Sequence, residues 1–199
     1  FFQLGRITQI VSIIVLVLTL LYTLPFFPNR KNARNWAGVK IYIVALCWVG
    51  VTLVLPIINA ELTLENDFFL KCIQRFILVF VLILIFEIID MPHDDPHLQT
   101  VPQQIGVSKT KIVGVLLLIP FYFLELLKNN FIQEQLIVNA ILVVVLCLFL
   151  AFANENRSKY YSSFWVESIP IFWWLMVVLL FVVAVFFIQL VHESYINKN

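Results

Sequence analysis

Charged residues are scarce in this chain of 199 residues. Asp, Glu, Lys and Arg together make up 13% of it, whereas globular proteins average about 25%. Hydrophobic residues make up 62%, which is incompatible with a soluble domain of this size. The net charge of +1 shows no basic excess that would indicate a nucleic-acid partner. The composition therefore predicts an all-α, polytopic transmembrane helix bundle.

Cysteines are also few, and their spacing excludes two classes of protein. Cys47, Cys72 and Cys147 each lie within an apolar run, and no two of them form a CxxC pair. Isolated cysteines in such runs are typical of small buried hydrophobic residues, so neither a zinc site nor a disulfide framework is indicated. The chain opens at Phe1 without an initiator Met, and we expect it to be a piece of a longer protein.

Six apolar segments are long enough to be candidate membrane spans, since a helix needs about 20 residues to cross the hydrocarbon core. The fourth is slightly short, and the last is too long for a straight crossing. We expect the last to begin with an interfacial turn near Pro170. All six belong to one predicted domain, residues 1–199. The segments are residues 7–24, 41–58, 68–89, 112–127, 135–153 and 164–191.

The gaps between these segments alternate in charge. Gaps one, three and five together hold seven Lys and Arg residues, against about three near the other side. The positive-inside rule therefore places the loops at 25–37, 91–111 and 154–163 in the cytoplasm, in a cell membrane that we expect to be a bacterial inner membrane. The seven residues are Arg30, Lys31, Arg34, Lys109, Lys111, Arg157 and Lys159.

Acidic residues cluster where the third apolar segment stops. The run at 76–86 carries no charge, and it is followed by Glu87, Asp90 and Asp94. Carboxylates are unfavourable at a helix C-terminus and at a membrane border, and a bound divalent cation would reverse both penalties. Glu87 and Asp90 share a helix face, and Asp94 lies just beyond Pro92, which ends the helix. The alternative is a solvated acidic loop without a ligand.

Magnesium fits this cluster better than zinc does. Mg²⁺ takes oxygen ligands and shares substrate phosphates. His93 and His97 are four residues apart, but Pro96 lies between them and no cysteine is near. The acids therefore predict a magnesium site, with a histidine-centred site as the weaker alternative.

Basic residues on the same predicted face are candidates for binding a phosphorylated substrate. Arg30 offers a planar fork to phosphate, Lys31 offers a point charge, and the Tyr22 hydroxyl can donate to a phosphate oxygen. Lys109 and Lys111 open the fourth helix, whose N-terminus favours anions. The alternative is that the charges only fix topology and that Tyr22 anchors the interface.

Three further polar residues carry predictions, one as a helix cap and two as acids in apolar segments. Ser108 is the predicted N-cap of the fourth helix. Glu125 and Glu167 are acids within or at the edge of apolar segments, which makes them functional candidates by default. For Glu125 we favour simple pairing with Lys128, whereas Glu167 is a candidate for facing an internal cavity.

Three stretches together resemble the UbiA superfamily of intramembrane prenyltransferases. Residues 21–31 (LYTLPFFPNRK) are similar to the family loop Tyr-Ser-x-Pro-Pro-x-Arg-x-Lys. Residues 87–106 (EIIDMPHDDPHLQTVPQQIG) look like its second aspartate motif, which reads Asp-Ile-Arg-Asp-x-x-x-Asp followed by Thr-x-Pro-x-x-Leu-Gly. Residues 165–170 (WVESIP) look like the start of the last helix in one bacterial branch.

The resemblance covers nearly the whole chain but only part of the family fold. Complete members have nine helices, and this chain aligns with the fourth to the ninth. The first aspartate motif is absent, Glu87 stands where Asp is common, and Ile89 stands where Arg is common. We therefore expect the intact protein to be an enzyme and this chain alone to be inactive.

The resemblance implies Mg²⁺-dependent transfer of a prenyl group from a prenyl diphosphate to a lipophilic acceptor, aromatic or a quinone precursor. Asp90 and Asp94 would be the catalytic metal ligands, with Glu87 as a third. The alternative is a non-catalytic multi-pass protein, a lipid carrier or a subunit, with a degenerate version of the fold. The residues implied to contact the diphosphate are Tyr22, Arg30, Lys31, Lys109 and Lys111.

Overall fold

The computed structural model describes residues 4–24, 38–94, 98–129, 132–157 and 160–196, and it confirms an all-α bundle. Within those residues there are helices and no strands. The helices, numbered here in chain order, are α1 (Arg6–Thr23), α2 (Val39–Asn59), α3 (Asn66–Asp90), α4 (Val101–Ile105), α5 (Val107–Phe123), α6 (Gln133–Phe152) and α7 (Ile169–Ile196).

Five of these helices are long and apolar enough to cross a membrane: α1, α2, α3, α6, and α5 together with the 3₁₀ turn Leu124–Leu127. The sixth predicted span falls on α7, where the described apolar stretch Phe164–Leu180 is shorter. A π-helical turn, Tyr161–Val166, precedes α7, and Pro170 is its second residue. A turn thus precedes the last long helix, as expected, and its interfacial position stays a prediction.

The fourth segment is longer than the sequence indicated. Its helix begins at Val107, and with the 3₁₀ turn it runs 21 residues to Leu127. The apolar segment at 112–127 is therefore only part of this helix, which Lys109 and Lys111 were expected to open. Both lie in the first turns of α5, where long basic side chains can extend beyond the apolar zone.

The third long helix, α3, is the centre of the bundle. In its most apolar window 67% of the residues are buried, against 11% in α1. It packs against α2, α5 and the turn Tyr161–Val166. Ile85 and Ile88 are fully buried in the main core with Leu142 of α6. Because α3 is central, the acids at its C-terminus lie in the middle of one end of the bundle.

Two glycines allow neighbouring helices to approach closely. A Cβ atom on Gly50 of α2 would lie 2.7 Å from Val15 Cγ2 of α1, and one on Gly114 of α5 would lie 2.9 Å from Leu150 Cδ1 of α6. Small residues at helix contacts are the usual means of tight packing in membrane bundles. These contacts fix α1 against α2 and α5 against α6.

Contacts between helix ends define the two ends of the bundle. At one end Lys40 of α2 meets Glu87 of α3, and Lys111 of α5 donates to the Ala151 carbonyl of α6. We call this the acidic end. At the other end, Glu125 and the beginning of α3 meet the beginning of α6, and we call it the Glu125 end.

Candidate functional site at the acidic end of the bundle

Glu87 is held inside the chain in the last turn of α3. Its side chain is 3% exposed, and its Oε2 atom accepts a hydrogen bond from the Val101 backbone N–H at 3.0 Å. The other oxygen, Oε1, lies 3.7 Å from Lys40 Nζ. Val101 opens α4, whose start is fixed by a capping box in which the Thr100 N–H donates to Gln103 Oε1 at 3.0 Å. The charge of Glu87 is therefore compensated by Lys40 and by the start of α4.

Asp90 is the last residue of α3, and Asp94 lies on the turn that follows it. The backbone N–H groups of His93 and Asp94 donate to the Asp90 carbonyl at 2.8 and 3.0 Å, so one further turn forms across Pro92. Asp94 Oδ2 is buried, and it has no hydrogen-bond partner among the residues that the structure describes. A buried, unpartnered carboxylate oxygen is costly, and a bound cation would remove that cost.

The two aspartates fit a magnesium ion better than Glu87 does. Mg²⁺ in phosphate-binding sites is commonly held by one or two carboxylates together with substrate phosphates and waters. Glu87 is already engaged by Lys40 and Val101, and in the described ranges no group of three or more His, Cys, Asp or Glu residues is placed to hold a metal. Asp90 and Asp94 therefore remain as candidate ligands, while the contacts of Glu87 argue against its predicted metal role.

The predicted diphosphate contacts fall in different places. Tyr22 is half-buried in the last turn of α1, while Arg30 and Lys31 lie outside the described residues. Lys109 is exposed near the start of α5. Lys111 Nζ donates to the Ala151 carbonyl at 2.9 Å, and it thereby stabilises the C-terminus of α6. Lys111 is thus engaged in helix capping.

Glycine, and not Ser108, precedes α5. The N-cap is Gly106, which has φ 82°, a conformation that side chains other than glycine rarely adopt. The predicted N-cap at Ser108 was wrong because the chain passes from α4 into α5 through this single glycine, and the helix starts at Val107. This short connection holds α4 in the position where the Val101 N–H donates to Glu87.

The histidines contribute little to the described site. His93 is exposed on the turn after α3, and His97 lies outside the described residues, as does Asp95. The predicted i, i+4 histidine pair therefore stays untested.

An apolar cavity of about 360 Å³ lies along the C-terminal half of α3, between α2, α3 and the start of α7. Phe86, the residue before Glu87, lines it, and so do Trp48 of α2 and Pro170 of α7. Glu167 also lines the cavity, as the sequence indicated. The volume is within the usual range of about 300–1,000 Å³ for small-molecule pockets.

A second polar cluster lies at the Glu125 end. Glu125 Oε2 accepts hydrogen bonds from Lys128 Nζ at 2.6 Å, Asn139 Nδ2 at 2.8 Å and Gln74 Nε2 at 3.1 Å. Burial lowers the pKa of Lys128, and the hydrogen bond and charge of Glu125 oppose that effect. The predicted pairing of Glu125 with Lys128 is confirmed. The sequence analysis missed Gln74 and Asn139, whose only signal was an amide side chain inside an apolar run.

Comparisons of the chain with protein-family models, with curated proteins and with solved structures find no match.

Proposed function

We propose that the protein transfers a prenyl group from a prenyl diphosphate to a lipophilic acceptor, aromatic or a quinone precursor, within the membrane. The proposal is supported by the three sequence stretches similar to UbiA-type prenyltransferases. The observation that carries it is the buried Asp94 Oδ2 atom, which has no hydrogen-bond partner among the described residues. A carboxylate in that state needs a cation, and a magnesium–diphosphate substrate supplies one.

The charges at the acidic end favour a metal-bound diphosphate over a bare one. Asp90 and Asp94 are carboxylates and would repel a diphosphate without a cation between them. Asp90 and Asp94 would hold Mg²⁺, which neutralises charge that develops on the diphosphate leaving group. The basic residues proposed to contact the diphosphate oxygens are Arg30, Lys31 and Lys109. The Tyr22 hydroxyl would donate a hydrogen bond to one of these oxygens.

The cavity beside the acids suits an isoprenoid chain. Most of the side chains that line it are apolar, among them Val79, Leu82 and Phe86. Phe86 lines its end nearest to the acids, and Asp90 lies four residues further along α3, about one helical turn away, so a tail in the cavity would leave its diphosphate head on the side of the two aspartates. An apolar wall also keeps water from the allylic cation that forms when the diphosphate leaves.

The acidic end would face the cytoplasm of a cell, where prenyl diphosphates and Mg²⁺ are available. The excess of Lys and Arg in the gaps at this end supports the orientation. The acceptor would enter from the bilayer.

A non-catalytic membrane protein is the second candidate, and one observation favours it. Glu87 is neutralised by Lys40 and Val101, so the acid cluster is partly stabilised without a metal. In that case the cavity would hold a lipid chain and the two aspartates would be a solvated turn.

Mg²⁺-dependent binding of a prenyl diphosphate separates the two candidates. The protein, expressed with every residue that its gene encodes, would be titrated with a fluorescent geranyl diphosphate analogue with Mg²⁺ or with EDTA. The enzyme proposal predicts saturable binding that EDTA abolishes. Binding of similar affinity in EDTA, or equal binding of the matching prenyl alcohol, would favour the non-catalytic lipid carrier.

A further inference from the structure

A second cavity lies at the Glu125 end, away from the acids. It has a volume of about 230 Å³ and is bounded by α2, α3, α6, α7 and the segment after α5. Its lining is unusually basic for a membrane bundle. It includes Lys71, Arg75 and Lys128, with Glu125 as the one acid in the lining that the structure describes. Glu125 is already paired with Lys128, and the buried Asp67 also acts electrostatically on that lysine, so Arg75 is the lining cation for which the described residues show no acidic partner.

Arg75 has no carboxylate partner among the described residues. It lies nine residues into α3, a helix that is long and apolar enough to cross a membrane. Its guanidinium carbon lies 4.4 Å from the centroid of the Trp173 ring, and no hydrogen-bond acceptor contacts it in the described part of the chain. An arginine within such a helix is costly unless it is paired, and the cation–π contact with Trp173 occupies none of its N–H donors.

Trp173 lines the same cavity and also carries an N–H donor without a partner among the described residues. Its indole Nε1 atom is buried and finds no hydrogen-bond acceptor among the described residues. Tryptophan Nε1 is a donor only, so the missing partner must be an acceptor. Gln74 and Gln135 line the cavity as well. Arg75 and Trp173, two residues that line this cavity, thus carry N–H donors without acceptors among the described residues, and an anion with several oxygen atoms would supply acceptors to both.

We propose that this cavity binds the phosphate group of an anionic phospholipid. The planar guanidinium of Arg75 matches two phosphate oxygens, and the Trp173 N–H can donate to a third. Leu53 and Ile132 form apolar parts of the same lining and would contact the start of the acyl chains. A phospholipid reaches the cavity from the bilayer, with its phosphate already joined to acyl chains that the apolar part of the lining can contact, whereas a free phosphate ion would have to leave water. The site does not depend on prenyl transfer, because it lies at the opposite end of the bundle.

Native mass spectrometry of the full chain in detergent would test this site with three probes: phosphatidylglycerol, phosphatidylcholine and inorganic phosphate. We expect saturable binding of phosphatidylglycerol at least about tenfold tighter than that of phosphatidylcholine, because only the first carries a net negative charge. Arg75→Gln should weaken phosphatidylglycerol binding by about tenfold or more. Trp173→Phe, which keeps an aromatic ring but removes the N–H donor, should weaken it by about threefold to fivefold.

Matched controls are available for both variants. Arg6→Gln removes an exposed arginine from the start of α1, and Trp174→Phe alters a tryptophan that is 63% exposed. Neither should change the affinity by more than about twofold, because neither residue lines the cavity. Circular dichroism and thermal unfolding without added lipid would check that each variant is folded.

Two results would overturn the proposal. Equal affinities for phosphatidylglycerol and phosphatidylcholine, or equal losses in Arg75→Gln and Arg6→Gln, would show that Arg75 does not select an anion. The second result is that the protein binds inorganic phosphate and not phosphatidylglycerol, and that Arg75→Gln and Trp173→Phe weaken the binding of phosphate. It would assign the cavity to a free phosphate and exclude the lipid.

Discussion

Lys40, in the first turn of α2, lies 3.7 Å from Glu87, in the last turn of α3. The contact joins a basic residue at the end of the positively charged first gap to the most buried acid of the cluster. It explains how one carboxylate is accommodated at the acidic end without a ligand. The two aspartates that follow have no such partner in the part of the chain that the structure describes.

Removing Lys40 should destabilise the bundle by about 1–3 kcal/mol, because Glu87 would then be a buried carboxylate held by one backbone N–H. The variant is Lys40→Met, which keeps the length of the side chain. Its free energy of unfolding would be measured in detergent and compared with that of Lys109→Met, which removes an exposed lysine. The double variant Lys40→Met/Glu87→Gln should recover part of the loss. Equal stabilities for Lys40→Met and Lys109→Met would contradict the pairing.

Replacing Glu125 alone should be more damaging than replacing it together with Lys128. Glu125 is 2% exposed, and Glu125→Leu would remove the ion-pair partner of a buried lysine, at a cost of about 3–5 kcal/mol. Glu125→Leu/Lys128→Met removes both charges and should be closer to wild type. Unfolding in increasing denaturant gives the comparison, with the exposed Glu134→Gln as control. If the double variant is less stable than Glu125→Leu, the buried lysine left without its partner is not the source of the loss, and the prediction is wrong.

A larger side chain at Gly114 should separate α5 from α6. A Cβ atom there would lie 2.9 Å from Leu150 Cδ1, so Gly114→Leu should cost about 1–3 kcal/mol by overpacking. Leu150→Ala in the same chain opens space and should restore part of the stability, although Leu150→Ala alone is destabilising. The thermal unfolding midpoints of the three variants test this coupling. Purely additive losses would mean that the two residues do not meet.

The two ends of the bundle should lie on opposite sides of the membrane. His93 is exposed at the acidic end, and Glu134 is exposed at the Glu125 end. In a chain with Cys47, Cys72 and Cys147 replaced by serine, His93→Cys should react with an impermeant maleimide only from the cytoplasmic side. Glu134→Cys should react only from the other side. Labelling of both from one side would refute the topology.

Much of the helix pattern could be predicted from the sequence because apolar length and proline are local signals. The third helix ends at Asp90 just before Pro92, as the acid–proline pattern indicates. Even α4 carried a signal, since Thr100 and Gln103 have the spacing of a capping box, although it was not recognised.

The partners of buried polar groups could not be predicted in the same way. Lys40 meets Glu87 across 47 residues of sequence, and Asn139 reaches Glu125 from another helix. Such pairs depend on the rotation of each helix about its axis, and in a nearly uniform apolar segment the periodicity that fixes rotation is weak. For the same reason the capping role of Lys111 was not foreseen.

The central claim is that Asp90 and Asp94 hold Mg²⁺ and a prenyl diphosphate. Its most direct test is prenyl transfer in membranes by the protein with every residue that its gene encodes, using a labelled prenyl diphosphate and a panel of aromatic acceptors. Asp90→Ala and Asp94→Ala should each lower the rate by about 100-fold or more, because each removes a carboxylate from the metal. His93→Ala, on the same turn, should stay within about threefold of wild type, since imidazole is a poor Mg²⁺ ligand beside carboxylates. Wild-type rates for both aspartate variants, with loss of activity in His93→Ala, would contradict the account.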